Sequence, residues 1–458
     1  MSETLLDRDR LAAALEASRA DYTEIRLETR RTTRVVYHGR RLETASSVVN
    51  AGGIVRSLVK KGGWGISTFN SLDTLPRRVA QAYESARLVQ AEPITLAPTP
   101  PVEDEIYVTL GTDFRQLPLA QKKELIEGYN DILLSFPQVV DTQATYADQF
   151  ITVIYANSEG TFIVEERPLV TVHFAATARD GSNVQRAADG LSVPAGYEQV
   201  LGMEEIARSV AQRAVDLLST ETVVGGVYPV VCDPKLAGVF VHEAFGHLSE
   251  ADFVYANPQA QEMMVLGRRF GRPILNIVDD GTIPGLRGTH RYDDEGTRTQ
   301  RTELVREGIL VGRLHSRETA ARMGESVTGN ARATGYRYPP IVRMTNTFIE
   351  AGDVAFEDMI ADIKLGVYAC DAVGGQTMLE NFSFSAGYGY MIRDGRIAEM
   401  VKDVILSGNL FTTLQNIDAI GDDLAHSKLG TCGKGQGGLP VSTGAPHIRI
   451  QDVVMGGR

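Results

Sequence analysis

The sequence predicts an α+β protein: an N-terminal antiparallel sheet with helices, then a C-terminal, mostly β domain carrying few helices. Three observations lead there. Short alternating apolar–polar runs bounded by glycine turns fill residues 22–69 and 139–179, helical periodicity recurs at 72–90, 119–136 and 203–218, and beyond Gly225-Gly226 glycine and short β-type runs dominate. The two domains are expected at residues 1–222 and 223–458.

Each element follows from local chemistry. A first helix is expected near 8–18, and residues 22–69 then read as an antiparallel meander, with turns at His38-Gly39, Ala51-Gly52-Gly53 and Lys61-Gly62-Gly63. Residues 72–90 form an amphipathic helix pattern. The stretch 92–103, with Pro93, Pro98, Pro100 and Pro101, is an extended connector, since proline removes the amide donors that helix and sheet need. A helix at 119–136 precedes strands near 139–156 and 160–179, and a helix at 203–218 closes the first half. Val227-Tyr228-Pro229-Val230-Val231 is an apolar strand, followed by a helix that begins near Lys235.

Composition narrows the function classes. The chain has 458 residues, 43% of them hydrophobic, so a sizeable core is available. Its net charge of -12 is spread along the chain, which disfavours nucleic acid or an anionic membrane as partner. The charged N-terminus lacks the apolar core of a secretory signal, and no apolar run approaches the ~18 residues of a membrane span, so a cytoplasmic location is expected. Three widely separated cysteines, Cys232, Cys370 and Cys432, suit reduced thiols, one of them a possible ligand.

The segment of greatest chemical interest runs from Ala237 to His247 and ends His242-Glu243-Ala244-Phe245-Gly246-His247. In an H-E-x-x-H metalloprotease helix the histidines are four apart and share a face; here they are five apart, which on a regular helix turns them about 140° from each other. A π-bulge, or a helix ending at Gly246 that lets His247 swing back, would bring them together. Spacing alone leaves open that these side chains simply satisfy core or surface hydrogen bonds. A catalytic zinc takes three protein ligands, and the third candidates are Glu250, Asp252, His290 or a cysteine. Cys432 lies in a glycine-rich loop whose Lys434 would favour a thiolate, whereas Cys232 and Cys370 sit in apolar runs typical of buried structural thiols.

His242-Glu243-Ala244-Phe245-Gly246-His247 with Glu250-Ala251-Asp252 resembles the H-E-A-x-G-H-x-x-E-A-D block of the TldD/PmbA family. Further blocks are similar: the runs 279–285 and 292–296, Thr328-Gly329-Asn330, Arg343-Met344-Thr345-Asn346-Thr347, and Cys432-Gly433-Lys434 with Pro440-Val441. The likeness covers the second half; the first is similar only in its pattern of elements. It implies one Zn²⁺ per chain held by His242, His247 and Cys432, which makes the helix near Lys235 the metal-binding helix of the C-terminal domain. It also implies Glu243 as general base of a peptidase, in which a zinc-activated water attacks the peptide bond and Glu243 carries its proton to the leaving amine. A thiolate ligand weakens the Lewis acid and favours slow turnover.

The resemblance further implies unfolded or leader-type peptide substrates, admitted to a chamber between two subunits and held by β-augmentation, in a homodimer or a heterodimer with a metal-free relative. A non-catalytic, chaperone-like peptide-binding subunit is the alternative. Glu250 and Asp252 are candidate acceptors for the histidine N–H groups, and His290, His426 and His447 are weak candidates for an oxyanion donor. Residues 433–438 fit G-x-G-x-x-G, but only twenty residues follow, too few for a dinucleotide-binding unit. The same loop lacks the Ser or Thr that a P-loop requires after its lysine, and no G-x-S-x-G elbow supports a serine hydrolase.

Overall fold

The computed structural model describes residues 7–89, 92–378 and 380–457. Helix α1 (Arg8–Glu16) begins at Asp7, whose side chain accepts a hydrogen bond from the Arg10 amide. Strands β1 (Tyr22–His38), β2 (Arg41–Val59) and β3 (Gly63–Phe69) form an antiparallel meander with turns at 39–40 and 60–62, but the turn expected at Ala51-Gly52-Gly53 is absent: β2 runs straight through these residues, and the two glycines leave room for Tyr336, Leu27 and Phe69 to pack against the strand. Helix α2 covers Leu75–Leu88, with residues 72–74 in a separate 3-10 turn: Pro76, which has no amide hydrogen, is accommodated in the first turn of the helix. Gln90, where periodicity ends this helix, lies outside the described residues.

The connector is extended as expected, except that its end forms β4 (Glu103–Ile106). Then come α3 (Leu119–Leu134), β5 (Val139–Asn157), β6 (Phe162–Asp180), β7 (Asn183–Val193) and α4 (Glu204–Ser219). These strands make one sheet in the order β3-β2-β1-β5-β6, with β4 pairing in parallel and β7 antiparallel to β6. The alternation read from the sequence buries one face of this sheet under helices. Leu75, Val79 and Ala82 of α2 pack on Ile25, Leu27 and Val55, and further along the sheet Ile126, Leu133 and Val210 of α3 and α4 pack on Val35, Tyr146 and Val172.

The last two residues before the expected boundary form β8 (Glu221–Thr222), which pairs in parallel with Arg396–Lys402 of the second half; β9 (Gly226–Cys232) and α5 (Pro234–Val241) follow. An eight-stranded sheet runs through Leu365–Met378, β9, Ile448–Gly456, Ile405–Asn409, Asn381–Arg393, Arg396–Lys402 and β8, and Ile417–Ile420 also pairs with 448–456. Because 365–378 pairs back onto 381–393, five of these strands close a barrel. A six-stranded sheet has Ile277–Asp280 and Asn346–Ile349 at its centre. Helix α5 is apolar on most faces because it is enclosed: Leu236, Phe240 and Val241 share a core with Ile277 and Ile349 of one sheet and with Val367, Phe382 and Phe384 of the other.

Buried ion pairs join the two halves through the 292–296 run. Asp294 lies 3.2 Å from Arg26 and 3.0 Å from Arg167, while Arg56 bonds Glu24 at 2.7 Å and Glu295 at 3.4 Å. No helix among the described residues is long and apolar enough to cross a membrane.

Candidate metal centre

The site grows from the end of α5. Asp233 caps the helix by accepting from the Leu236 amide at 2.8 Å, and Pro234 occupies the first helical position. After Val241 the backbone widens into one π-helical turn, His242–Gly246, in which the His247 amide donates to the His242 carbonyl. That extra residue in the turn is the geometric remedy a five-residue histidine spacing requires. The two rings lie with centroids 5.3 Å apart. Gly246 lets Met344 pack closely on the turn, since a Cβ there would stand 2.1 Å from Met344 Sδ.

His242, His247 and Cys432 converge, with one potential ligand atom from each lying within 4.8 Å of the others. Cys432 Sγ is 3.6 Å from His247 Nε2. Nitrogen and sulfur ligands around a tetrahedral Zn²⁺, at bond lengths of about 2.05 and 2.3 Å, stand about 3.6 Å apart. The donor set therefore fits such an ion, and the buried His242 Nδ1, which has no hydrogen-bond partner, agrees with this. Glu243, one residue after the first histidine, is partly exposed and places Oε2 3.8 Å from His247 Nε2.

Glu250 is fully buried, and its Oε2 meets His247 Nδ1 at 2.9 Å. That bond assigns the Nδ1 proton to the Glu250 side and leaves Nε2 facing Cys432. Lys434 does not serve Cys432 as the sequence suggested: its ammonium lies 3.1 Å from Glu250 and 2.7 Å from Asp252, and it donates to the Val342 carbonyl at 2.9 Å. It neutralises the acids behind His247.

Cys432 is carried by a short hairpin, Thr431–Gly433 against Gly438–Pro440. Arg343 anchors it. This wholly buried guanidinium donates to the Cys432 carbonyl at 2.6 Å and to the Gly437 and Lys434 carbonyls at 3.3 and 3.4 Å. Sequence reading placed Arg343 in a motif without a role; an arginine in an otherwise apolar run was the available signal.

Electrostatics separate the two histidines. Burial, with repulsion from His247 and Arg343, pushes His242 down to about 3, so its ring is neutral and ready to ligate. Burial also acts to lower His247, but its hydrogen bonds to Cys432 and Glu250 outweigh this and lift the ring to about 10, so that without a metal both ring nitrogens carry protons and a bound ion would displace the one on Nε2. Burial raises the Glu243 carboxyl, opposed by His247 and assisted by Glu250.

Among the described residues no other histidine joins the cluster. His290 is buried with Nδ1 2.8 Å from the Gly288 carbonyl, His426 packs edge-on to Phe348, and His447 bridges Asp423 and Tyr368. Cys232 and Cys370 are buried, and desolvation pushes both thiols well up, as inert structural thiols require. The remaining motifs act as internal scaffolding: Asp279 accepts hydrogen bonds from Asn330, Thr345 and Thr347, drawing three of the sequence blocks together.

The sequence matches models described as PmbA/TldA metallopeptidase domain 1 over residues 23–86, the central domain over 112–218 and the C-terminal domain over 225–457. A metalloprotease of Synechocystis is 47% identical over 96% of this chain and 96% of its own length. A zinc metalloprotease TldD homolog of Saccharolobus solfataricus is 30% identical, over 76% of this chain and 79% of its own. Among solved structures, one from Thermotoga maritima is similar at a TM-score of 0.79 and 23% identity, covering 98% of both chains. TldE from Thermococcus kodakarensis follows at 0.76 and 17%, covering 98% of this chain and 99% of that one. These two likenesses speak for the α+β fold alone.

Proposed function

We propose that this chain, which belongs to the PmbA/TldA metallopeptidase family, is a zinc-dependent peptidase whose metal is held by His242, His247 and Cys432, with Glu243 as general base. The observation that carries the reading is the convergence of two nitrogen donors and one sulfur donor beside a partly exposed carboxylate. The names of the relatives, metalloprotease and zinc metalloprotease, point the same way.

Zinc bound there would supply a Lewis acid that polarises the scissile carbonyl and acidifies a water. The chain's own residues do the rest. Glu243 accepts the proton of the attacking water and returns it to the leaving amine. Glu250 holds the Nδ1 proton of His247, which leaves Nε2 as the nitrogen that gives up its proton to ligate, and Lys434 offsets the charge of Glu250. Arg343 holds the Cys432 carbonyl and so positions the sulfur. The substrates are unfolded or leader-type peptides, and the working assembly is a homodimer or a pair with a metal-free relative.

The test is elemental analysis with cleavage of an unfolded peptide, on the wild type, His242→Ala, Cys432→Ala and Glu243→Ala. Near one zinc per chain, lost with His242 or Cys432 and kept by an inactive Glu243→Ala, is the expected result. Absence of both zinc and cleavage under metal-replete conditions would sink the reading in favour of a non-catalytic peptide-binding subunit.

A further inference from the structure

A cleft of about 630 Å³ lies between the first-half sheet and the C-terminal domain. One wall comes from β1, β5 and β6; the other comes from loops around 281–299 and 332–334 and from Thr431 and Gly438–Pro440, in the hairpin that carries Cys432. Seven arginines and two glutamates line it. Four of these cations are compensated: Arg26 and Arg30 lie against Glu28, Arg167 against Glu165 and Asp294, and Arg291 near Asp104.

Three are not. Among the described residues Arg287, Arg298 and Arg332 have no carboxylate within ion-pair distance, although Asp294 and Asp279 attract Arg332 from farther off. Arg332, 7% exposed, donates only to the neutral carbonyls of Met344 at 2.6 Å and Pro440 at 2.8 Å. Arg287 reaches the Gly430 carbonyl and, at 3.3 Å, the Thr431 hydroxyl, and its buried Nε has no partner. Burial and repulsion from Arg332 pull Arg287 down to about 10, and burial with the charges of Arg167 and Arg343 pulls Arg332 down to about 10 against the attraction of Asp294. A buried cation such as Arg332 that rests on neutral carbonyls is expensive unless an anion completes the site, and half-buried Arg287 and exposed Arg298 stand beside it with donors to spare.

His290 supplies an independent observation. It is 8% exposed and lines the same cleft, its Nδ1 is spent on Gly288, and its buried Nε2 has nothing to accept from. Burial holds the ring neutral, so Nε2 is an acceptor awaiting an N–H. A peptide offers both complements, a carboxylate for guanidinium groups and an amide for the imidazole. Apolar side chains such as Ile151, Val153 and Leu169 fill the wall between the charges, and the net charge of -12 repels a long polyanion.

We propose that this cleft is a carboxylate-binding subsite that selects acidic peptides, with Arg287, Arg298 and Arg332 receiving a side-chain or C-terminal carboxylate. The inference rests on the peptidase reading and names its substrate class. Binding is measured apart from cleavage, on Glu243→Gln, with fluorescent unstructured peptides that carry Asp and Glu or the matching Asn and Gln, each as free acid and as C-terminal amide.

Acidic peptides should bind about tenfold more tightly than their amide counterparts, as charge-assisted hydrogen bonds allow, and the preference should shrink with added salt. The free-acid and amide arms tell a C-terminal carboxylate from a side-chain one. Arg298→Gln, at an exposed position that preserves folding, and Arg287→Gln should each weaken the preference in the binding assay; in cleavage by otherwise wild-type enzyme Arg298→Gln should raise KM for acidic peptides and leave kcat unchanged, whereas Arg287 also holds Gly430 and Thr431 beside Cys432 and is tested by binding alone. Equal binding of acidic and neutral peptides, a preference untouched in both variants, or tighter binding of a single-stranded oligonucleotide would overturn the subsite. Selective binding without cleavage by the zinc-loaded wild type would overturn the peptidase reading and leave the subsite standing, whereas cleavage without selectivity would do the reverse.

Discussion

Glu243 and Glu250 flank the same imidazole and are set apart by burial. Glu243 is 32% exposed and open to a water, while Glu250 is 1% exposed and bonded to His247 Nδ1. Replacing Glu243 with Gln should therefore lower peptide cleavage by about 10²–10⁴-fold, the range of a general base, and leave zinc content intact. The base works only when ionised, and burial raises its pKa, so kcat/KM should climb with pH through a midpoint above the ordinary glutamate value of about 4.3. A pH–rate profile with its acidic limb at or below that value would contradict the assignment. Glu250→Gln removes the anionic partner of His247, and zinc competition against a chelator should show affinity reduced by about 10–100-fold.

At the scale of the element, the π turn and the Cys432 hairpin are the two pieces that must meet. Gly246→Ala would place a methyl group 2.1 Å from Met344 Sδ. Met344, buried behind the turn, or the turn itself would have to give way, at a cost of about 1–3 kcal/mol for overpacking, and thermal stability should fall, with zinc retention falling too where the turn moves. Arg343→Met keeps the side-chain length and removes the donors to the Cys432, Lys434 and Gly437 carbonyls. Zinc retention should drop with little change in far-UV circular dichroism, because the hairpin loses its anchor and the sheets keep theirs. Unaltered zinc binding in this variant would show that the two strands of the hairpin suffice to position the sulfur.

For the molecule as a whole, we propose that residues 1–222 and 223–458 form the two structural units. The ion pairs of Asp294 with Arg26 and Arg167, and of Glu295 with Arg56, bury charge across the junction between them. Removing one partner of such a group strands the others, so Asp294→Asn should lower Tm and separate one calorimetric transition into two. Zinc that binds only the folded chain stabilises it, so a chelator should lower the Tm of the wild type and leave that of Cys432→Ala unmoved.

Much of the architecture was legible because it is encoded between near neighbours. Alternation with the glycine turns near 39 and 62 located the ends of β1 to β3, while Gly52-Gly53, expected as a turn, lies inside β2; α5 begins at Pro234, beside the start expected near Lys235. The short strand β4 was missed because its partner, the start of β6, lies far along the chain and four residues carry too little pattern of their own. The chemistry of the candidate site was legible as residue types: two histidines, a glutamate and a cysteine in a glycine-rich loop. Their arrangement was not. A five-residue spacing allowed either of two backbone paths; the structure takes the π turn, with Gly246 seated against Met344. Sequence by itself determined the α+β class and the side chains able to act. Only the tertiary structure decided that Cys432 stands beside His247, that Lys434 pairs with Glu250 and Asp252, and that, among the described residues, three arginines face a cleft with no carboxylate within ion-pair distance. Local elements depend on backbone sterics and on the spacing of neighbouring side chains, whereas these meetings depend on how sheets pack across long separations in the chain, which no local pattern records.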